Sequence, residues 1–326
     1  MHRAAITTTR LMNWLKAGRG QGYGKDYLPW LQVTRQDHAS IGQSHIVPDP
    51  FLGRQHHLLS SLERAGCVTA MAHPVVKDNR EQFPIWPFPH PSPLLELYEA
   101  EGHAYPPDLP TESEGSLALA RHLGIRHARF VGLQVPYIYT TDQLLTIESP
   151  GQKPFLVALS MKYWSDLRGS MPPQKPKNDK AKKARRRKFL KLRLEREYWK
   201  RLGIPWLLVT DRLIHQQACL NIEWALSGAI QRIRDDDVGL LKRFLMAWGS
   251  IEWQGRCIDE MKAMGRVLQI NTDTAIRLLK LAILRALIPM DLTQPVHLQL
   301  AFPRGPAQSP TTIPAWSFLR YLGRPA

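Results

Sequence analysis

Cysteine is scarce in this sequence. Cys67, Cys219 and Cys257 are scattered through 326 residues, and none belongs to a CxxC pair. That spacing excludes a zinc ribbon and a disulfide framework, and a reducing cytoplasm is the default. Long apolar runs are missing as well. No stretch approaches the roughly 18–20 uninterrupted apolar residues of a spanning helix. The segment Met1 to Asn13 carries Arg3 and Arg10 but no continuous apolar centre, which argues against a secretory signal. Acidic residues are outnumbered, 28 Asp and Glu against 44 Lys and Arg, for a formal charge of +16. Such an excess asks for a polyanion. The lack of a spanning run weakens a membrane partner and favours nucleic acid as that polyanion. At 44% apolar residues the chain can bury a core, so global disorder is excluded. Its length suits about two domains of roughly 100–200 residues.

Residues 14–31, WLKAGRGQGYGKDYLPWL, alternate Gly18, Gly20, Gly22 and Gly24 with basic and aromatic residues. They read either as a loop that approaches phosphate or as a flexible connection; the order of a P-loop is absent. Residues 56–71 read as a helix with Leu58, Leu59 and Leu62 on one face, and Glu63 follows on that face. The prolines of 84–112 predict an irregular but packed insertion. Residues 128–140, 154–162 and 204–210 read as strands, with a helix over about 184–202 that stops at Gly203. Strand, helix and strand in that order predict a βαβ unit in a mixed or parallel sheet. After Asp211, helices are expected over 212–233, 237–248 and 255–268, then from an Asn271 cap to about Leu287. A short hairpin over 288–292 and 296–302 would complete a winged-helix-like module.

Residues 171–193, MPPQKPKNDKAKKARRRKFLKLR, hold eleven Lys or Arg against one Asp, a local charge of +10 in a chain of +16. This density favours phosphate contact over a merely solvated run, with Lys180, Lys182, Lys183, Arg185, Arg186, Arg187 and Lys188 at its centre. Contacts of this kind carry affinity and not sequence preference.

A nuclease that uses a divalent metal needs hard oxygen ligands and a cation near the attacked phosphate. Asp142 lies just past a predicted strand. Ser160 and Lys162, two apart at the end of PFLVALSMK, share a face. Glu63 on a preceding helix can complete such a site. By residue type and spacing alone, other readings stay open: Lys162 as a solvated strand-end lysine, Asp142 as a turn residue, Glu63 as a helix-surface charge.

The strings AGRGQGYGKDYLPWL (17–31), GRQHHLLSSLE (53–63), DNREQFPI (78–85), LEREYWKRLGIPWLLVTD (194–211) and NIEW (221–224) are long and idiosyncratic. Together with Asp142 and Ser160-Met161-Lys162 they resemble the TnsA family, the endonuclease subunits of heteromeric, TnsABC-type bacterial transposons. The resemblance covers most of 14–83 and 136–224. It implies an α/β fold. A restriction-endonuclease-like domain with a mixed sheet would span 1–211, with the insertion at 84–112 and the basic segment at 171–193. A mostly helical, winged-helix-like domain would follow over 212–303, then a tail over 304–326.

The function implied is a metal-dependent DNA endonuclease, using Mg²⁺ with Mn²⁺ able to substitute, that cleaves the 5′ ends of the transposon during cut-and-paste transposition. The partners implied are double-stranded DNA at the transposon ends, a TnsB-type transposase acting on the 3′ ends and a TnsC-type AAA+ ATPase regulator, at the nucleoid of a bacterial cytoplasm. The resemblance places the catalytic residues on Glu63, Asp142 and Lys162 and the metal ligands on Glu63, Asp142 and Ser160, with Glu195 as an accessory acidic position. Ser160 stands where the family has glutamine; its hydroxyl is a shorter and weaker ligand, and water or a main-chain carbonyl can substitute for it. A rival class is a non-catalytic DNA-binding or scaffold subunit; another is a stand-alone restriction enzyme.

Overall fold

The structure, a computed structural model, describes residues 6–34, 43–149, 151–168, 179–228, 235–250 and 255–305. The chain divides into two compact units. One comprises Met1–Val47, His56–Arg64 and Lys77–Asp211; the other comprises Pro48–Gln55, Ala65–Val76 and Arg212–Ala326.

In chain order the first half runs α1 (Thr8–Lys16), β1 (His45–Asp49), β2 (Arg54–Leu58), α2 (Ser61–Met71), β3 (Val76–Ile85), β4 (His90–Pro91), α3 (Pro93–Ala100), β5 (Glu112–Ser113), α4 (Ser116–His122), β6 (Tyr139–Ile147), β7 (Phe155–Met161), α5 (Trp164–Arg168), α6 (Asp179–Arg201) and β8 (Trp206–Val209). The main sheet has the order β3-β6-β7-β8. β6 and β7 pair antiparallel, and β7 and β8 pair parallel with Ser160 opposite Leu208. The mixed sheet and the βαβ unit are therefore as the sequence predicts. The reason lies in β7, whose run FLVALSM is buried almost throughout and suits a central strand covered on both faces. The second half of α6 covers the sheet, placing Leu194, Tyr198, Trp199 and Leu202 in one core with Phe83, Leu144, Leu156 and Ala158.

In this first half, three expectations change. Residues 56–58 belong to β2, which pairs with β1, so the helix starts only at Ser61. His56 and Leu58 are buried and His57 is not; that two-residue period marks a strand. The proline-rich insertion contains a helix, α3. Ser92 accepts the Leu94 N–H and Pro93 takes the first position, where proline has no N–H to lose. Residues 128–138 are not a strand. They hold one isolated bridge, Arg129 to Pro136, and the strand begins at Tyr139. The aromatic and β-branched residues there pack instead, with Phe130 and Ile138 buried against Leu11 and Trp30.

The second unit carries α7 (Gln216–Leu226), α8 (Asp235–Trp248), α9 (Cys257–Leu268) and α10 (Thr272–Leu284). α10 packs on the other three. Asn271 caps it by accepting the Thr274 N–H at 2.7 Å, as its sequence predicts. The hairpin expected over 288–302 is replaced by isolated bridges, Met290 to Arg304 and Arg256 to Ala301. Asn221 explains the change. Its amide donates to the carbonyls of Leu292 and Gln294 and accepts the Val296 N–H. Those backbone groups are spent on a side chain and not on a cross-strand ladder. Residues 306–326 of the expected tail lie outside the described residues. Among the described residues no helix is long and apolar enough to cross a membrane.

Candidate active site

Lys162 follows β7 directly. Its N–H donates to Val209 O of β8 at 3.0 Å, which fixes where the lysine leaves the sheet. The side chain then turns back. Nζ donates to Asp142 Oδ2 at 2.5 Å and to Met161 O at 2.7 Å. The same Asp142 oxygen accepts the Met161 N–H at 2.6 Å. Asp142 lies within β6, not past a strand end, because that strand starts eleven residues later than the sequence suggests. Among the described residues its Oδ1 takes no hydrogen bond.

Glu63 stands in the first turn of α2, 7% exposed. Ser60-Ser61-Leu62-Glu63 is a capping sequence of the S-x-x-E kind, the local signal that sets Glu63 at the start of a helix. The Glu63 N–H donates to Ser60 Oγ at 3.1 Å, and the Ser60 hydroxyl donates to Glu63 Oε1 at 3.0 Å. Oε2 accepts the Leu59 N–H and the Gln82 side-chain amide, both at 2.9 Å. Glu63 thus belongs to the helix cap and to the site at once.

Glu195, on α6, is 2% exposed, and the Ser160 hydroxyl donates to its Oε2 at 3.2 Å. Ser160 is itself buried, and its hydroxyl is committed to Glu195.

The Lys162 ammonium interacts electrostatically with both Glu63 and Glu195. Burial first, and then the charge of Asp142, push the Glu63 carboxyl up to about 7. Burial and Asp142 also raise Glu195. Burial works to lower the Lys162 pKa, but Asp142, Glu195 and Glu63 outweigh it and hold the ammonium above its ordinary value. Lys162 is therefore the cation that all three carboxylates share, with Lys191 also acting on Glu195, and Lys162 keeps its proton at neutral pH.

The donor set fits a hard divalent ion. Glu63 and Asp142 offer carboxylate oxygens, one of them uncommitted; burial first and then the Asp142 charge raise Glu63, and such an ion would offset both. Among the described residues no group of three or more His, Cys, Asp or Glu side chains is gathered for a metal. Two protein carboxylates with water and substrate oxygens completing the shell is the usual habit of Mg²⁺.

The basic residues sit on the first half of α6. Lys183, Arg185, Arg186, Arg187 and Lys188 are exposed, and Lys188 pairs with Asp166 at 3.2 Å. Lys180 and Lys182 lie on the same helix with side chains outside the described residues, as do residues 171–178 entirely.

Two comparisons with known proteins bear on this site. The family described as "TnsA-like endonuclease N terminal" matches residues 73–211, which contain Asp142, Ser160, Lys162 and Glu195 but not Glu63. The chain is also similar to the Transposon Tn7 transposition protein TnsA of Escherichia coli. They are 31% identical over 230 residues, which span 71% of this chain and 67% of the relative.

Proposed function

This chain belongs to the TnsA family of transposon endonuclease subunits, and on that basis we propose that it cuts the 5′ ends of a transposon by metal-dependent phosphodiester hydrolysis. The observation that carries the reading is the Lys162 ammonium seated on Asp142, with the Glu63 carboxylate close enough for Asp142 to raise its pKa.

In this reading Glu63 and Asp142 hold Mg²⁺, or Mn²⁺ in its place. When bound, the ion lowers the pKa of a water and stabilises charge on the scissile phosphate. The water oxygen bonds to phosphorus, the bond to the 3′ oxygen breaks, and that oxygen takes up a proton. The products are a 5′-phosphate and a 3′-hydroxyl. Lys162 acts as a fixed positive charge toward the pentacovalent phosphate, because its carboxylate neighbours keep it protonated and make it a poor base. Glu195 is accessory: it helps to hold Lys162 charged and receives the Ser160 hydroxyl. With that hydroxyl committed to Glu195, water or a main-chain carbonyl would stand in for the family's glutamine when an ion is held. A purely scaffolding role is not favoured, since the matched family is one of endonucleases.

The wider setting is proposed with it. The nuclease domain lies within 1–211, apart from Pro48–Gln55 and Ala65–Val76, which cluster with the second unit, and a mostly helical domain lies within 212–303, with a TnsB-type transposase and a TnsC-type ATPase as partners on double-stranded transposon ends, at the nucleoid of a bacterial cytoplasm. The exposed basic face of α6 grips phosphates. Replacing Lys183, Arg185, Arg186, Arg187 and Lys188 by glutamine should weaken DNA binding and flatten the plot of log Kd against log salt by about 3–4, allowing for incomplete engagement at ~0.9 per phosphate contact. Binding isotherms at several salt concentrations measure this; an unchanged slope would remove the segment from the DNA interface.

The metal leaves a signature in stability. The folded-state pKa of Glu63, about 7, lies above its ordinary 4.5, so the metal-free fold favours the protonated form. This contribution is fully present below about 4.5 and is lost as pH rises through about 7. An ion held by the ionised carboxylates opposes that loss. Mg²⁺ should therefore raise Tm by about 2–4 °C at pH 8 and by much less at pH 5.5. Thermal scans of the wild type and of Asp142→Ala measure it. Equal shifts at both pH values, or a shift that survives Asp142→Ala, contradict the assignment.

A further inference from the structure

β3 contains five consecutive polar residues, Asp78-Asn79-Arg80-Glu81-Gln82, and all of them are buried. In a regular strand, neighbouring side chains point to opposite faces. Glu81 and Gln82 do not obey this. Glu81 meets the His57 N–H at 2.9 Å and His56 Nδ1 at 2.8 Å, while Gln82 meets Glu63 at 2.9 Å. Both thus reach the segment 56–63. The backbone accounts for it: Gln82 has φ +50, a left-handed conformation that side-chain-bearing residues rarely adopt. Such strain persists where the surrounding contacts over-determine it, and here those contacts end on the Glu63 carboxylate.

The amide is oriented from its other side. The Thr140 hydroxyl donates to Gln82 Oε1 at 3.0 Å, and Thr140 lies two residues before Asp142 on β6. An ionised Glu63 can only accept, so the NH₂ of Gln82 faces it and the carbonyl faces Thr140. A second amide grips the main chain of the same residue: Gln143 Nε2 donates to Glu63 O at 2.7 Å. The chain Thr140, Gln82, Glu63 therefore couples the position of the Glu63 carboxylate to the strand that carries Asp142.

We infer that Gln82 is a positioning residue for the nuclease reaction, holding the Glu63 carboxylate where it can share a divalent ion with Asp142. The inference rests on the role of Glu63 given under Proposed function. Groups that orient a metal ligand in this way typically contribute about 10–100-fold to metal affinity.

The test is Mn²⁺ binding to the full-length protein, followed by titration, in wild type, Gln82→Met, Gln82→Gly and Thr140→Val. Gln82→Gly tolerates the left-handed backbone and removes the whole side chain, amide included, so it separates backbone strain in Gln82→Met from loss of the amide. Thr140→Val leaves Gln82 intact and frees its amide to turn. We expect Mn²⁺ affinity to fall about tenfold in both Gln82 variants and by less in Thr140→Val, with the 5′-strand cleavage rate at saturating Mn²⁺ reduced while the apparent Kd for DNA is unchanged. Affinity within twofold of wild type in a folded Gln82 variant overturns the inference. If the wild type itself binds no Mn²⁺, the metal assignment fails, and the crystal structure of Gln82→Gly decides this inference separately: a Glu63 carboxylate left in place overturns it, and one swung away from Asp142 supports it.

Discussion

Asp142→Ala is expected to lower 5′-strand nicking by about a thousandfold, on the scale of several kcal/mol that a catalytic metal supplies. Asp142 is the most informative position because its carboxylate does three separate things. Oδ2 fixes the Met161 N–H, anchors the Lys162 ammonium and, by its charge, raises Glu63, while Oδ1 is left for a ligand. Alanine removes an oxygen donor and at the same time releases the lysine. Asp142→Asn is the companion variant: it keeps an acceptor for Met161 and the side-chain size, so a loss that persists there is chemical and not a matter of folding. Lys162→Ala should cost about 100–1,000-fold, the usual effect of removing one preorganised positive or donor group. Glu63→Ala is less clean. It also removes a helix cap, at about 1 kcal/mol, so its activity loss mixes two causes. Single-turnover nicking of an end-labelled donor, with the partner proteins present, measures all of these. A wild-type rate in Asp142→Ala would end the site assignment.

Trp199→Ala should destabilise the protein by about 3–5 kcal/mol, a large share of the roughly 5–15 kcal/mol that holds a domain folded. Trp199 is fully buried on α6, edge-on to Tyr198 with centroids 5.0 Å apart and 5.9 Å from Phe83. Its indole N–H donates to Thr141 Oγ at 2.7 Å, and Thr141 is likewise fully buried. Truncation opens a cavity and strands a buried hydroxyl beside Asp142. Trp199→Phe keeps most of the volume and loses only the hydrogen bond and part of the ring, so about 1–2 kcal/mol is expected. Urea unfolding midpoints give both numbers. A cost below about 1 kcal/mol for Trp199→Ala would mean that α6 does not hold β6 in place as its packing implies.

The parts of this fold that were legible in the sequence are those governed by short-range rules. PFLVALSMK reads as a buried strand because almost every residue is apolar, and Asn271 reads as a cap because its side chain serves the very next turn. Proline density and aromatic content were poor guides. Pro93 starts a helix once Ser92 caps it, whereas Pro136 sits in an aromatic-rich stretch that packs without forming a strand. The candidate site divides in the same way. Glu63, Asp142 and Lys162 were nameable from residue type, spacing and the resemblance of their flanking strings. Ser160 was not interpretable, because its partner Glu195 lies 35 residues away on α6. Gln82 was invisible as a participant: its reach to Glu63 depends on one left-handed backbone angle in a strand, and no local pattern encodes that. Five adjacent polar residues in a strand of the main sheet were the available hint.

The most direct test of the central claim is to map, at nucleotide resolution, both strands of a transposon end after incubation with the protein and its partners, in Mg²⁺ and in Ca²⁺, for wild type and Asp142→Ala. The account predicts a 5′-strand cut bearing a 5′-phosphate and a 3′-hydroxyl that requires Mg²⁺ and Asp142. Cleavage of that strand by Asp142→Ala at the wild-type rate, or without any divalent metal, would contradict it.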